Sequence, residues 1–150
     1  RIVGSTCGAM GYSVPAGVSA ALAHKDQLVL SFVGDGGFMM SGQELATAAQ
    51  DGATPIVLLF NNGIYGTIRM HQERDHPERI SGTTLINQDF CKMAEGYGAH
   101  AERVTKTADF AAAFDRARAS GRPALIELVT NPEQISTRTT ITKLRDAAKK

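Results

Sequence analysis

The chain has 150 residues, of which 43% are hydrophobic and 21% charged, and its 16 Lys and Arg residues nearly balance its 15 Asp and Glu residues. This globular composition excludes a collagen-like, coiled-coil or wholly disordered chain and predicts one compact domain. The formal net charge of +1 offers no broad basic surface, so we expect no nucleic-acid partner and no membrane partner.

Helices and apolar strands alternate along the first half of the sequence. Small residues after Pro15 predict a helix, because proline is tolerated in a first helical turn. Ser41 and Glu44 have the spacing of a capping box at the start of a second helix. Two apolar runs predict strands that are buried on both faces. The predicted elements are a helix over 15–23, a strand over 27–33, a helix over 41–50 and a strand over 55–60.

The second half repeats this alternation around one polar loop. Thr107 is the expected cap of an amphipathic helix, and Gly121 its expected end. The predicted elements are a helix over 64–72, a loop over 73–85 that could move over a site, a helix over 88–97, a strand over 100–104, a helix over 107–120 and a strand over 123–130. Apolar strands joined by short helices form right-handed parallel crossovers. We therefore predict an α/β fold with a mainly parallel sheet and helices on both faces.

The cysteines and the lack of long apolar segments indicate the cellular compartment in which the protein is expected. Cys7 and Cys91 lie far apart, without histidines at ligand spacing, and are expected to be buried or half-buried thiols in a reducing compartment. No stretch approaches the ~20 apolar residues of a membrane span. We therefore expect a cytoplasmic protein.

Glycine and short oxygen-bearing side chains follow both apolar strands of the first half. The first strand is followed by residues 34–37 (GDGG), and the second ends in residues 61–63 (NNG). Ligands of open parallel sheets bind beyond the carboxyl ends of the strands. Either run alone is an ordinary turn. As a pair on adjacent strands, about 4.8 Å apart, they could supply the oxygen ligands that Mg²⁺ or Ca²⁺ prefers.

The spacing of the two runs resembles the thiamine diphosphate fingerprint. Gly34, Asp35 and Gly36 are followed by 24 residues and then by Asn61 and Asn62. Residues 8–16 (GAMGYSVPA) resemble the segment that holds the pyrimidine edge of the cofactor in acetolactate synthase and its relatives. The similarity runs from about residue 8 to residue 130. It implies the diphosphate-binding, C-terminal domain of the thiamine diphosphate-binding fold.

The resemblance implies a metal site and a phosphate site. Asp35 and Asn62 would bind Mg²⁺ through their side chains and Ile64 through its main-chain carbonyl, and the metal would clamp the diphosphate. Gly36 and Gly37 would donate main-chain N–H groups to the phosphates, which agrees with anion binding at the start of a helix.

The resemblance also implies contacts to the rest of the cofactor. Met10 would hold the cofactor in a bent conformation, although methionine is more often a core residue. The carbonyl of Gly8 would accept a hydrogen bond from the aminopyrimidine. The residues implied to bind the cofactor are Gly8, Ala9, Met10, Gly34, Asp35, Gly36, Gly37, Asn62, Ile64, Tyr65 and Gly66.

The implied reaction is the decarboxylation and joining of 2-keto acids, for which the cofactor acts as electron sink. In this family the glutamate that activates the pyrimidine comes from a pyrimidine-binding domain of the same or a neighbouring subunit. No segment here matches that domain, and Glu44 is better explained as part of a helix cap. We therefore expect a chain that is inactive alone and acts in a homo-oligomer, a dimer or a tetramer. FAD is a further cofactor that a missing domain could bind.

The resemblance also bears on where the chain begins. It starts at Arg1 and runs at once into glycine-rich sequence, so we expect a piece of a longer polypeptide that lacks the first strand and helix of its domain. Residues 1–136 are predicted to form the diphosphate-binding domain. Residues 137–150 are predicted to form a C-terminal arm with a short helix.

Residues 68 and 71, which both follow Asn62, bear on which branch of the family the chain resembles. Pyruvate decarboxylase-like enzymes carry a substrate-facing glutamate where this chain has Ile68, which favours the acetolactate synthase-like branch. Typical acetolactate synthases carry an acceptor-selecting tryptophan where this chain has His71, which leaves the acceptor open. His71 is either solvated, like His76, or a catalytic residue that carries a proton to the substrate. Two alternatives remain, namely the small subunit of a split 2-keto acid decarboxylase and a non-catalytic scaffold.

Overall fold

A parallel sheet is the centre of the larger of two compact units in the computed structural model, which describes residues 1–149. The larger unit comprises Arg1–Asn61 and Gln88–Val129, and the smaller one comprises Asn62–Asn87 and Thr130–Lys150. In chain order the elements are α1 (Ser13–Ala23), β1 (Leu30–Gly34), α2 (Asp35–Ser41), α3 (Glu44–Asp51), β2 (Ile56–Asn61), α4 (Gly66–Asp75), α5 (Phe90–Gly96), β3 (His100–Val104), a 3-10 turn (Thr107–Asp109), α6 (Phe110–Ala119), β4 (Ala124–Val129) and α7 (Ile141–Ala148).

The sheet confirms the predicted α/β class. Its four strands lie in the order β1-β2-β4-β3, and every neighbouring pair is parallel. Every predicted helix and strand is present, with bounds that differ by three residues at most, and α2 was not predicted. None of the helices within residues 1–149 is long and apolar enough to cross a membrane. The predicted boundary at residue 136 stays a prediction.

Two hydrophobic clusters cover the two faces of the sheet. On one face, Val57, Leu59 and Leu125 of the strands lie in a cluster with residues of α1, α2, α3 and α5. On the other face, Leu58 and Ile126 lie in a cluster with residues of α6. The alternation follows from the two-residue period of a strand, which directs successive side chains to opposite faces. Helices therefore pack on both faces of the sheet, as predicted.

The prediction that the first strand is buried on both faces is wrong. β1 alternates between buried and exposed residues, and Phe32 is 59% exposed. The physical reason is its place at the edge of the sheet, since within residues 1–149 it pairs with β2 alone. The ring of Phe32 stacks on that of Phe60 with centroids 6.2 Å apart. β2, which is central, is buried from Ile56 to Leu59 as predicted, whereas Phe60 is 38% exposed.

Two predicted helix caps are absent. Ser41 is the last residue of α2, and its hydroxyl donates a 2.7 Å hydrogen bond to the carbonyl of Gly11. Glu44 begins α3 without a side-chain cap and accepts a hydrogen bond from Thr47 instead. Thr107 begins a 3-10 turn, and α6 also lacks a side-chain cap. Tertiary contacts and the 3-10 turn replace the local capping that the sequence suggested.

The cysteines differ from each other in exposure. Cys7 is exposed, so the prediction of a buried or half-buried thiol is wrong for it. It lies in the glycine-containing segment before α1, where residues 6–10 are all exposed. Cys91 is half-buried, as predicted, and desolvation raises the pKa of its thiol to about 11. Both thiols are free.

A buried ion pair holds the smaller unit together. Glu73, predicted to begin the loop, lies in α4 and is fully buried. Its carboxylate accepts hydrogen bonds from Arg145 of α7, at 2.9 Å from Nε, and from the N–H of Glu78. The hydrogen bond from Arg145 lowers the pKa of Glu73 from 4.5 to about 2. Glu73 is therefore a negatively charged link between α4 and α7 at neutral pH.

The predicted loop is bound to α4 by side-chain hydrogen bonds. Arg69 donates from Nε to the hydroxyl of Thr83 at 2.6 Å, and Gln72 donates to the carbonyl of Ser81 at 2.7 Å. Thr83 is itself 2% exposed. The helix extends to Asp75, so the loop is shorter than predicted. Its mobility stays a prediction.

We expect Arg145→Ala to destabilise the smaller unit by about 3 kcal/mol, because the substitution leaves the buried carboxylate of Glu73 without its counter-charge. Urea denaturation followed by circular dichroism at pH 7 measures this difference. The pKa of Glu73 is lower in the folded chain than its ordinary value, so the stabilisation is complete above about pH 4.5 and is lost as the pH falls towards 2. The deficit of the variant should therefore shrink at pH 3.

Lys149→Ala is the matched control for this measurement. Lys149 pairs with Glu78 at 2.6 Å, but both side chains are well exposed. Exposed pairs contribute about 0–1 kcal/mol. Equal losses for Arg145→Ala and Lys149→Ala would contradict the role given to burial.

Candidate functional site

Asp35 lies directly after the carboxyl end of β1, at the first residue of α2. Its side chain is only 3% exposed, and Oδ1 accepts a 2.9 Å hydrogen bond from the N–H of Gly36. Gly34 is exposed, and a Cβ atom on it would meet nothing within 4 Å. Gly36 and Gly37 are buried in α2. The structure thus places a buried carboxylate at the predicted edge of the sheet, next in sequence to the exposed Gly34.

The two strands that precede the predicted ligands are adjacent. Gly34 is in register with Phe60, one residue before the end of β2 at Asn61. Asn62 is the next residue in the chain and begins the smaller unit. The adjacency of the strands, on which the predicted ion site depends, is confirmed.

Asn62 and the four residues after it form a compact turn within the smaller unit. Oδ1 of Asn62 accepts a 3.1 Å hydrogen bond from the N–H of Ile64. Ile64 is 8% exposed and forms an antiparallel bridge with Thr84. Tyr65 precedes α4, and Gly66 is its first residue. A Cβ atom at Gly66 would lie 3.2 Å from Nδ2 of Asn62, which explains the glycine there.

The segment predicted to meet the pyrimidine lies exposed before α1. Gly8, Ala9 and Met10 are all exposed, and Met10 is 46% exposed, so the alternative of a core methionine is wrong. Gly8 has a φ of 64° and Gly11 a φ of 82°, which favour glycine. At Gly11 a Cβ atom would also lie 3.1 Å from Cβ of Met40.

Ile68 and His71 are exposed on α4 in the smaller unit. Residues three positions apart lie on the same face of a helix, so the two side chains are neighbours. His76, at the end of α4, is also exposed. The catalytic role of His71 stays a prediction.

A polar network at the carboxyl end of β4 was not predicted from the sequence. Glu127 is 1% exposed and accepts hydrogen bonds from Nδ2 of Asn61 and from Nε of Arg103, each at 2.7 Å. The hydrogen bond with Glu127 raises the pKa of Arg103. The only signal in the sequence is a single glutamate within the apolar run PALIELVT.

The donors at the predicted metal site suit a hard cation. Within residues 1–149, no group of three or more His, Cys, Asp or Glu side chains is placed to hold a metal ion. The predicted set is of another kind, because it combines the carboxylate of Asp35, the amide of Asn62 and a main-chain carbonyl. Oxygen donors of this kind, completed by phosphate and water, are those that Mg²⁺ prefers.

These features define the class of the protein as an α/β domain with a candidate site for an anionic cofactor at the carboxyl edge of a parallel sheet. A comparison with known protein families identifies one family that matches most of the chain. The chain belongs to the thiamine pyrophosphate enzyme family, as a C-terminal TPP binding domain, whose family model matches residues 2–128.

Several known proteins are similar to the chain. The acetolactate synthase large subunit of Corynebacterium glutamicum is 39% identical over 132 residues, which are 84% of this chain and 21% of that protein. The 3D-(3,5/4)-trihydroxycyclohexane-1,2-dione hydrolase of Bacillus subtilis is 36% identical over 134 residues, which are 85% of this chain and 21% of that protein. The chain spans about a fifth of the length of these relatives.

A solved structure has the same fold. The thiamine diphosphate-dependent 4-hydroxybenzoylformate decarboxylase of Rhodococcus jostii RHA1 matches with a TM-score of 0.79 and 35% sequence identity, over 83% of this chain and 24% of that one. The similar proteins therefore include a synthase, a hydrolase and a decarboxylase.

Proposed function

We propose that this chain binds Mg²⁺ and thiamine diphosphate as one half of the active site of an acetolactate synthase-like enzyme that decarboxylates and ligates 2-keto acids. The observation that carries the proposal is the pair of motifs GDG and NN at the ends of two adjacent parallel strands. Membership of the thiamine pyrophosphate enzyme family and the similarity to an acetolactate synthase subunit support it.

The residues of the site have separate roles in this proposal. Asp35, Asn62 and the carbonyl of Ile64 hold Mg²⁺, and Gly36 and Gly37 allow the backbone to approach the diphosphate. Bound thiamine diphosphate supplies the carbon nucleophile and the electron sink that 2-keto acid chemistry needs. The exposed segment 8–10 meets the pyrimidine ring.

The partners are part of the same proposal. The substrate is a small 2-keto acid, and the activating glutamate belongs to a pyrimidine-binding domain of the same or a neighbouring subunit. A homo-oligomer, a cytoplasmic location and FAD in another domain stay predictions.

With Ile68 in place of an acid, the site lacks the group expected to protonate the reacting carbon and release an aldehyde. We therefore expect ligation to exceed simple decarboxylation when the holoenzyme receives pyruvate and 2-ketobutyrate together. With His71 in place of tryptophan, preference for 2-ketobutyrate should be weak, because a methylene contributes only ~1–3 kcal/mol even in a well-formed apolar pocket. Product analysis by chromatography measures both ratios.

His71→Trp should raise the preference for 2-ketobutyrate several-fold, and His76→Trp, at an exposed position beyond α4, is the matched control. Acetaldehyde as the dominant product would favour a decarboxylase, the activity named for the similar Rhodococcus enzyme. No product together with no cofactor binding would favour the scaffold alternative.

A further inference from the structure

Glu127 is an unusual residue for its position. It is the only polar residue of β4, whose other residues are Ala, Leu, Ile, Leu and Val, and it is 1% exposed. Burial of a carboxylate is costly unless the group is paired and hydrogen-bonded. An apolar residue of similar volume at such a position is often neutral or stabilising. Stability alone therefore does not explain a glutamate at this point of the sheet.

The contacts of Glu127 point to the carboxyl end of β2. Oε1 accepts the hydrogen bond from Nδ2 of Asn61, and Oε2 accepts the one from Nε of Arg103. Arg103 also contacts Asp89 at 3.2 Å, so the guanidinium is fixed from two sides. Oε2 also accepts a longer hydrogen bond from Sγ of Cys91, at 3.7 Å. Both carboxylate oxygens are therefore engaged, and the donor to Oε1 is the last residue of β2.

We propose that Glu127 is a positioning residue for the metal site, which acts by fixing the side chain of Asn61 and thereby the end of β2 from which Asn62 follows. This inference rests on the proposed function. Residues that orient metal ligands from outside the coordination sphere commonly contribute about 10–100-fold to metal affinity. Glu127 would orient the metal ligand Asn62 indirectly, because it bonds to Asn61, the adjacent residue in the chain.

The geometry favours positioning because the bond to Asn61 is directional. A carboxamide that donates to a buried acceptor has one preferred rotamer, since any other leaves a buried polar group unpaired. Asn61 is also in register with Val129 of β4, so the side-chain bond and the strand pairing fix the same end of β2 to the same strand. Loss of the carboxylate leaves the pairing of the strands but removes this directional bond from the side chain of Asn61.

The test measures Mg²⁺ affinity by titration calorimetry in the holoenzyme, with thiamine diphosphate at a fixed saturating concentration. Glu127→Leu should weaken Mg²⁺ binding about tenfold or more. The kcat of this variant, measured at saturating Mg²⁺ and cofactor, should stay within about twofold of wild type, because the loss is in binding. Glu127→Gln keeps an acceptor oxygen for Asn61 and should restore most of the affinity.

Glu102→Gln is the matched control. Glu102 lies on β3, is also paired with an arginine, Arg116 at 2.6 Å, and has 21% of its side chain exposed. Its strand, β3, neighbours β4 and is separated by it from β2, so its substitution should leave Mg²⁺ affinity unchanged. Asn61→Ala removes the same contact from the other side and should weaken Mg²⁺ binding as Glu127→Leu does. Combination of the two changes should add little further loss.

The outcomes separate this inference from the proposed function. If wild type binds neither Mg²⁺ nor thiamine diphosphate, the proposed function fails and the inference fails with it. If wild type binds both and the folded Glu127→Leu variant binds Mg²⁺ equally well, only the inference is overturned. If Glu127→Leu does not fold, Asn61→Ala decides, and an unchanged Mg²⁺ affinity in that variant overturns the inference.

Discussion

Asp35→Ala is expected to abolish the Mg²⁺-dependent binding of thiamine diphosphate. In the proposed ligand set Asp35 provides the only charged protein oxygen facing a doubly charged ion. Asn62→Ala should weaken binding less, because it removes a neutral ligand. Titration calorimetry of the holoenzyme with thiamine diphosphate, with and without Mg²⁺, measures both effects.

Two further variants show whether the charge itself is needed. Asp35→Asn keeps an acceptor for the N–H of Gly36 and removes only the charge, so it should also lose most of the Mg²⁺-dependent affinity. Asp51→Ala, at the exposed end of α3, is the matched control and should bind as wild type does. Unchanged affinity in both Asp35→Ala and Asn62→Ala would refute the metal assignment.

The parallel sheet was predictable because its signal is local. Apolar runs of strand length, each followed by a helix, leave few alternatives to a parallel α/β fold. The exposure of Phe32 was not predictable in the same way. It depends on the order of the strands, which the mostly apolar sequences of β1 and β2 do not reveal.

Helix α2 was not predicted and the helix cap at Ser41 was wrongly predicted, because local sequence does not reveal tertiary contacts. The run DGGFMMS contains two adjacent glycines, which favour a turn, yet it forms α2. Ser41, whose hydroxyl fits a local capping box, instead bonds to the carbonyl of Gly11, which is 30 residues away in sequence. A buried hydroxyl takes the partner that the tertiary structure offers, and local propensity does not reveal that partner.

The candidate site was predictable in part. The motifs around Asp35 and Asn62 can be recognised in the sequence from their residue types and their spacing. The network around Glu127 does not, because its carboxylate and Asn61 are 66 residues apart and meet only through the pairing of β2 with β4. The sequence shows a lone glutamate in an apolar strand and does not reveal its partner.

Each buried carboxylate of the described residues has a partner or a proposed role that keeps it from activating the cofactor. They are Asp35, Glu73 and Glu127. A group that activates a cofactor must exchange a proton near neutral pH. Glu73 cannot do so, since Arg145 holds its pKa at about 2. Glu127 is fixed between Asn61 and Arg103. Asp35 accepts from its neighbour Gly36 and is the proposed metal ligand.

The isolated 150-residue chain is therefore expected to show no turnover of pyruvate, even with saturating thiamine diphosphate and Mg²⁺. The physical reason is the lack of a free buried acid among the described residues, because the activating glutamate is expected on the pyrimidine-binding partner. A coupled assay for acetaldehyde and acetolactate measures the turnover, and circular dichroism establishes that the chain is folded. Addition of the partner domain in trans should restore activity. Steady decarboxylation by the chain alone would place the catalytic acid within it and make His71 the first residue to substitute.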